Sequence, residues 1–386
     1  MMAAGTGSAV RMASESRRTW LDRLRTSRIA SWVRSALTLL RGLRVEVWRV
    51  EGAEKSSGLP ISMLCAADRE TKAYLLDLVV DDSFRETFLG KRWIWSVSKL
   101  LPEIPDCSLV AVAAQRSLMK CLHLQNSFFV PAWVELEIGL PIDERTMKRW
   151  TIRSDLKRIK KHDLRYALTA ESEAIQDFYD NYYRPYIARV HGASAVILSR
   201  ESILAKVGQC ELLRVIKQGA VIAGMLIDRD RLRPRLWCLG VRDGSSDYID
   251  QGALIAAYQF SFEYLTKEGF PKVGLGWCRA LLRDGVLRYK SKWSPRIAGT
   301  TADGFAFSFP SCSRATQSFL LNNPFIFEKS GQLYGALFVP PGRHNSEELQ
   351  AFERLYNYLG VSKSVHYLLP ETGPAPIFEP TVEGRG

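Results

Sequence analysis

Residues 285–293 read Gly285-Val286-Leu287-Arg288-Tyr289-Lys290-Ser291-Lys292-Trp293. Upstream lie an apolar helical stretch at 251–268, then Gly269, then the strand-like Lys272-Val273-Gly274-Leu275-Gly276. The order predicts a helix, a strand with a glycine-rich end, a basic turn, and a lysine flanked by aromatic residues. It puts Lys290 beside an aromatic wall at the mouth of a sheet, where an acyl or phosphate-bearing ligand can be held.

Upstream, apolar and β-branched runs predict strands at 211–217, 221–228 and 235–241. Gln218-Gly219 reads as the hairpin turn between the first two, because glycine reaches positive φ without steric cost. A short strand is expected at 164–168, a tyrosine-rich helix at 172–189, and a strongly basic helix at 145–161. In that basic helix Met147, Trp150, Ile152, Leu156 and Ile159 mark the apolar face. Beyond residue 300 the pattern gives strands at 304–308 and 333–339 and a helix at 346–359.

The first part of the chain is mixed as well. Strands are expected at 43–50, 61–66, 108–114 and 128–137, with a helix over 69–101 that breaks near Asp81-Asp82 and buries Trp93 and Trp95. In residues 17–41, Leu21, Ile29, Trp32, Val33, Ala36, Leu37 and Leu40 share one helical face with arginines opposite. A basic amphipathic helix of this kind either docks on its own domain or lies on an anionic membrane surface. The expected divisions are a basic segment at 1–42, an α/β domain at 43–140, a second domain at 141–368 and a disordered Pro/Gly-rich tail at 369–386.

With 386 residues, 46% apolar and 24% charged, the composition is that of a folded protein with room for two domains. No run of about 18 apolar residues spans a bilayer, and no secretory signal pattern is present. The cysteines at 65, 107, 121, 210, 238, 278 and 312 are dispersed, with no Cys-x-x-Cys, which reads as reduced thiols in the cytoplasm. No zinc-type spacing is present and no metal is expected. Of the net charge of +12, segments 1–50, 145–165 and 279–296 carry +7, +7 and +5, so the rest of the chain is acidic. Basic patches on an acidic body point to an anionic partner: a phosphate-rich cofactor, a nucleic acid or an inner membrane surface.

Taken in order, residues 150–297 give the basic Asp155-Leu156-Lys157-Arg158-Ile159-Lys160-Lys161 and the aromatic Asp177-Phe178-Tyr179-Asp180-Asn181-Tyr182-Tyr183. They continue with Arg189-Val190-His191-Gly192, Ile222-Ala223-Gly224, Val273-Gly274-Leu275-Gly276 and Tyr289-Lys290-x-x-Trp293. This series resembles the C-terminal domain of FemAB/CelD-like acyltransferases in the GNAT (acyl-CoA N-acyltransferase) superfamily. The resemblance implies an α/β GNAT-like fold as two tandem domains, the N-terminal one degenerate. It implies transfer of an acyl or aminoacyl group from acyl-CoA or aminoacyl-tRNA to an amine or hydroxyl. The acceptor class it implies is a glycan or peptide precursor of the cell envelope or a polysaccharide.

Under that resemblance Lys290 contacts a phosphate or the reacting carbonyl, and His191 and Asp250 are the candidate bases, with Asp228 a further carboxylate. Gln251, Gly252, Ala253 and Gly276 hold the donor, while Tyr182, Arg189, Tyr289 and Trp293 line the acceptor groove with Tyr183 and Tyr186. The superfamily's Arg/Gln-x-x-Gly-x-Gly/Ala signature survives only as Gln251-Gly252-Ala253, with Asp247 and Asp250 nearby. Read without the resemblance, Asp250 is a helix cap, Tyr289 and Trp293 are core, and Lys290 is a solvated surface charge. Two rival functions remain at this stage: a nucleic-acid-binding protein, tRNA in particular, using the helix at 145–161, and a non-catalytic membrane-associated assembly factor.

Overall fold

The computed structural model describes residues 43–192, 197–229, 233–340, 356, 360–370, 373–374 and 380–383. The amphipathic segment 17–41, most of the expected helix at 346–359, most of the tail and the side chain of His191 lie outside the described residues.

The chain begins with strands β1 (Arg44–Ala53) and β2 (Pro60–Ala66), helix α1 (Arg69–Val79), then β3 (Arg85–Trp93), β4 (Leu109–Gln115), β5 (Phe128–Pro131) and β6 (Val134–Gly139). Helices α2 (Glu144–Met147) and α3 (Trp150–Lys161) lead to β7 (Arg165–Thr169), α4 (Ser172–Phe178), a π-helical turn at Tyr179–Tyr183, α5 (Arg184–His191) and α6 (Arg200–Leu204). Next come β8 (Cys210–Lys217), β9 (Ala220–Asp228), β10 (Arg235–Val241), α7 (Ser246–Asp250), α8 (Ala253–Lys267) and β11 (Lys272–Cys278). The chain continues through α9 (Gly285–Ser291), β12 (Arg296–Thr300), β13 (Asp303–Ser308), β14 (Ser311–Cys312) and α10 (Arg314–Asn322). It closes with β15 (Phe325–Lys329), β16 (Gln332–Val339), β17 (Lys363–Leu368), β18 (Gly373–Pro374) and β19 (Pro380–Glu383).

Two large mixed sheets result. One has ten strands in the order β19-β17-β16-β15-β5-β13-β4-β2-β1-β3; the other has seven, β12-β6-β11-β10-β9-β8-β7. Neither sheet respects the division expected at residue 140. Strand β6 leaves the first part of the chain to pair with both β11 and β12. Strand β13 returns from the second part to lie between β4 and β5. The protein is thus a mixed α/β fold of two interlocked sheets.

In the seven-stranded sheet β7 to β10 run antiparallel in sequence order. The turn between β8 and β9 is the expected one, with Gln218 at φ 49° and Gly219 at φ 81°. Helix α8 then crosses over, and β11 returns parallel to β10. Ten α8 residues are buried, because an apolar helix packed on a sheet must hide nearly its whole circumference. In the ten-stranded sheet Phe128 meets Phe325, Phe327 and Tyr367 edge-on, an arrangement that suits the ring quadrupoles.

Four expectations are corrected. The helix expected over 69–101 ends at Val79, and β3 follows as an edge strand that pairs, among the described residues, only with β1. Trp93 and Trp95 are not core; they stack on each other at 4.9 Å and remain 41% and 38% exposed. The basic helix is two helices, and Trp150, taken as apolar face, is 79% exposed at the start of α3. The basic turn at 285–293 is largely helix α9, whose Leu287 N–H donates to the Asp284 cap at 2.8 Å.

Candidate functional site

Strands β10 and β11 are hydrogen-bonded neighbours at one residue pair, Arg235 with Gly274, at the N-terminal end of both. Beyond it no further residue pair joins them among the described residues. On its other side β10 pairs antiparallel with β9 through to Val241, with a register shift between Leu236 and Cys238. The β11-facing edge of β10 toward Val241 therefore has no strand partner among the described residues. On the far side β11 pairs with β6 through a bulge at Gly274/Gly276, where Gly276 takes φ 78°. The bulge bends β11 and strengthens its local twist, which opens the wedge.

Lys290 projects from α9 onto this bulge. Its Nζ stands 3.5 Å from the Trp277 carbonyl oxygen and 3.8 Å from where a β-carbon on Gly276 would be. The residue is 7% exposed, and no carboxylate among the described residues forms an ion pair with it. The neighbouring Cys278 thiol has a raised pKa because burial outweighs the lowering influence of the lysine charge. A buried ammonium held mainly by one carbonyl is costly unless something compensates the charge. Lys290 is therefore no solvated surface lysine.

The flanking aromatics also turn inward. Trp293 is 1% exposed, meets Phe262 edge-on at 4.9 Å and leaves its indole N–H without an acceptor. Tyr289 lies 5.7 Å from Tyr258 of α8 and also feels the charges of Asp155 and Arg158. Burial raises the pKa of Tyr258, Tyr289 and Tyr186, the last to about 12. These phenols stay protonated at neutral pH.

At the start of α8, Gly252 is the N-cap in a left-handed conformation, φ 98°, and no side chain caps the helix. A β-carbon there would come within 2.9 Å of the Arg158 Cβ, so the close approach that needs glycine is made by α3. Asp250 is an exposed residue at the end of α7, not the cap of α8. Gln251 accepts a hydrogen bond from Lys217 at 2.7 Å, and Ala253 is fully buried. The first turn of α8 holds no carboxylate. It keeps its unpaired N–H groups and positive dipole end, with the Arg158 stem beside them.

Other expected residues fall elsewhere. Tyr182 is packed under β10: its hydroxyl donates to the Val221 carbonyl at 3.3 Å, and the adjoining backbone lies against Gly240. Tyr183 accepts from the Leu198 N–H at 3.2 Å. Arg189 is exposed on α5, with its Cδ near Gly244. Asp228 is held between Lys206 at 2.9 Å and Arg235 at 3.1 Å. The structure thus gathers Gly276, Lys290, Tyr289 and Trp293, with Tyr258 and Cys278 added. Gln251, Gly252 and Ala253 stand together at the head of α8, and α3 links the two groups through Asp155, which bonds Lys292 at 3.0 Å and approaches Arg158 at 3.7 Å.

Sequence reasoning missed Arg158 as a neighbour of the α8 terminus, although it lies in the basic run. It also missed Tyr258, whose place on the inner face of α8 was visible only as an apolar position. Among the described residues, no group of three or more His, Cys, Asp or Glu is placed to hold a metal. No described helix is long and apolar enough to cross a membrane.

No family model matches the chain, and no curated protein matches it. Among solved structures it is similar to FemX, at 9% identity over 68% of this chain and 83% of that one, with a TM-score of 0.36. It is similar to L-PGS from Bacillus licheniformis at 11% identity, covering 67% and 82%, with a TM-score of 0.32. A GCN5-related N-acetyltransferase from Kribbella flavida aligns at 14% identity over 64% and 81%, with a TM-score of 0.26. The antiparallel run β7 to β10, the crossover helix α8 and the return of β11 parallel to β10 follow the order of elements expected from the sequence.

Proposed function

We propose that the protein is a GNAT-type acyltransferase that moves an acyl group from acyl-CoA onto an amine or hydroxyl of a cell-envelope or polysaccharide precursor. The observation that carries this reading is the opened wedge between β10 and β11, with Lys290 buried on one wall and the uncapped α8 behind it. An unpartnered strand edge offers backbone groups to an extended ligand such as a pantetheine arm. The α8 N-terminus, with Arg158 beside it, favours the donor's phosphates. Lys290 places positive charge where the carbonyl oxygen gains negative charge as the acceptor attacks. The attacking amine or hydroxyl forms the new acyl bond, the thioester C–S bond breaks, and the thiolate takes a proton from a tyrosine hydroxyl lining the wedge. The acceptor's own proton passes to water or to His191, a residue type that titrates near neutrality.

Calorimetric titration with acetyl-CoA and longer acyl-CoAs, on the wild type and on Lys290→Ala, tests the reading. Saturable binding that the substitution weakens at least about tenfold, about 1.4 kcal/mol, supports it. Binding indifferent to the substitution removes Lys290 from the site. No binding of any acyl-CoA transfers the donor role to aminoacyl-tRNA, for which the exposed Trp150 and the basic side chains of α3 offer a surface.

A further inference from the structure

Arg279 is the first residue after β11, next to the Cys278 that Lys290 influences. Its guanidinium lies between two rings: the carbon is 3.8 Å from the Tyr74 centroid and 3.8 Å from that of Trp133. Both rings are braced. Tyr74 stacks on Phe305 at 5.8 Å, and the Trp133 backbone bonds Thr301 on both sides, N–H to Oγ1 at 3.2 Å and carbonyl to N–H at 3.1 Å. Stacking satisfies the two faces of the guanidinium and leaves its edge of N–H donors. Among the described residues Arg279 makes no hydrogen bond and no ion pair, so that edge has no protein acceptor. Burial lowers the Arg279 pKa, yet a guanidinium remains charged at neutral pH.

The edge borders a cavity of about 1220 Å³ between α1 and the ten-stranded sheet, lined in part by Tyr74, Trp133, Arg279, Glu70 and Asp303. The cavity is roomier than the roughly 300–1,000 Å³ of a typical small-molecule site, so a small ligand would fill only part of it. A planar, pre-oriented donor edge matches the paired oxygens of a carboxylate or phosphate, and ring stacking removes the freedom that binding would otherwise cost. Glu70 and Asp303 form no ion pair among the described residues. They give the same cavity carboxylates that attract an amine.

We propose that the Tyr74–Arg279–Trp133 sandwich is a binding site for the anionic group of a small amine bearing one phosphate or carboxylate. The position, immediately after the strand that forms one wall of the wedge, makes such an amine the acyl acceptor if the acyl-transfer reading holds. The binding claim stands apart from that reading, because it is measured without a donor.

The test is calorimetric titration with O-phosphoethanolamine, β-alanine and ethanolamine. The expected result is that O-phosphoethanolamine or β-alanine binds at least about tenfold tighter than ethanolamine, and that Arg279→Lys abolishes this preference. Whichever of the two binds identifies phosphate or carboxylate as the group. Should Arg279→Lys fail to fold, the wild type answers through modification by phenylglyoxal, read as the mass of the peptide that contains Arg279. The expected result there is that the same compounds, and not ethanolamine, slow its labelling. The proposal is overturned if neither anionic compound binds, if Arg279→Lys binds them undiminished, or if labelling of Arg279 is unaffected.

Discussion

Asp155 of α3 accepts a hydrogen bond from Lys292 at 3.0 Å, joining the basic helix to the residue just beyond α9. The carboxylate is 13% exposed and the lysine 34%, so the pair is only partly screened. It fixes the far end of the short helix that presents Lys290. Asp155→Asn should lower stability by about 1 kcal/mol, the discounted value of a partly exposed charged bond. Chemical denaturation measures the loss. Acyl-CoA affinity should fall with it, because α9 then has one anchor fewer.

Lys290→Met separates cost from use. An unpaired buried ammonium disfavours the folded state, so a neutral side chain of similar length should leave the melting temperature unchanged or higher. Acyl-CoA binding should nonetheless fall at least about tenfold. A clear drop in melting temperature would show that the lysine is a structural element.

Gly240 has no room for a side chain. A β-carbon there would stand 2.6 Å from the Tyr183 backbone nitrogen and from the Tyr182 carbonyl carbon. Backbone atoms within a π-helical turn have no rotamer through which to yield. Gly240→Ala should cost about 2 kcal/mol or more, seen as a lowered urea midpoint. Gly219→Ala, with nothing near its β-carbon, should cost only the strain of a positive φ, about 1 kcal/mol.

Glu137 makes the stability depend on pH. It is 2% exposed, and burial raises its pKa, but hydrogen bonds and charge from Arg296 and Lys272 outweigh burial and hold it below the ordinary carboxylate value. A lowered folded pKa adds stability above the unfolded pKa, and that contribution is lost as pH falls through the folded value. Urea midpoints should therefore decline below about pH 4. Glu137→Gln should be less stable at pH 7 and show a flatter decline.

Thiol labelling checks the core. Six of the seven cysteines are buried and Cys121 is exposed. Burial raises Cys65 to about 12 and Cys107 to about 11, which leaves almost no thiolate at pH 8. Native protein should take up one equivalent of a thiol reagent rapidly, at Cys121, with the remaining six reacting only after denaturation. Rapid uptake of more than one would contradict the packing around them.

The sequence carried the seven-stranded sheet well, because the apolar runs of β8 to β11 are interrupted only by turns, and Gln218-Gly219 states its turn type locally. It misled at β3. That strand lies at a sheet edge with almost no buried face, so Arg85 to Trp93 show no alternation that could separate strand from helix. Lys290 was readable as a lysine between aromatics, whereas its burial depends on a bulge set by β6, far away in the chain. Arg279 carried no local signal at all. Tyr74 on α1 and Trp133 in the connection between β5 and β6 lie well over a hundred residues upstream, and only the assembled fold brings their rings to its faces.

The exchange of β6 and β13 between the sheets sets an order on synthesis. As the chain leaves the ribosome, β6 emerges before its partners β11 and β12, which follow more than a hundred residues later. The same delay separates β4 and β5 from β13, which joins them into one sheet. For that interval β5 and β6 have no partner strand, and β4 pairs with β2 on one side only, leaving open backbone edges prone to wrong pairing with other chains. Newly made protein should therefore depend on holding chaperones until about residue 308 has emerged, and fragments cut at residue 140 should stay soluble only when produced together.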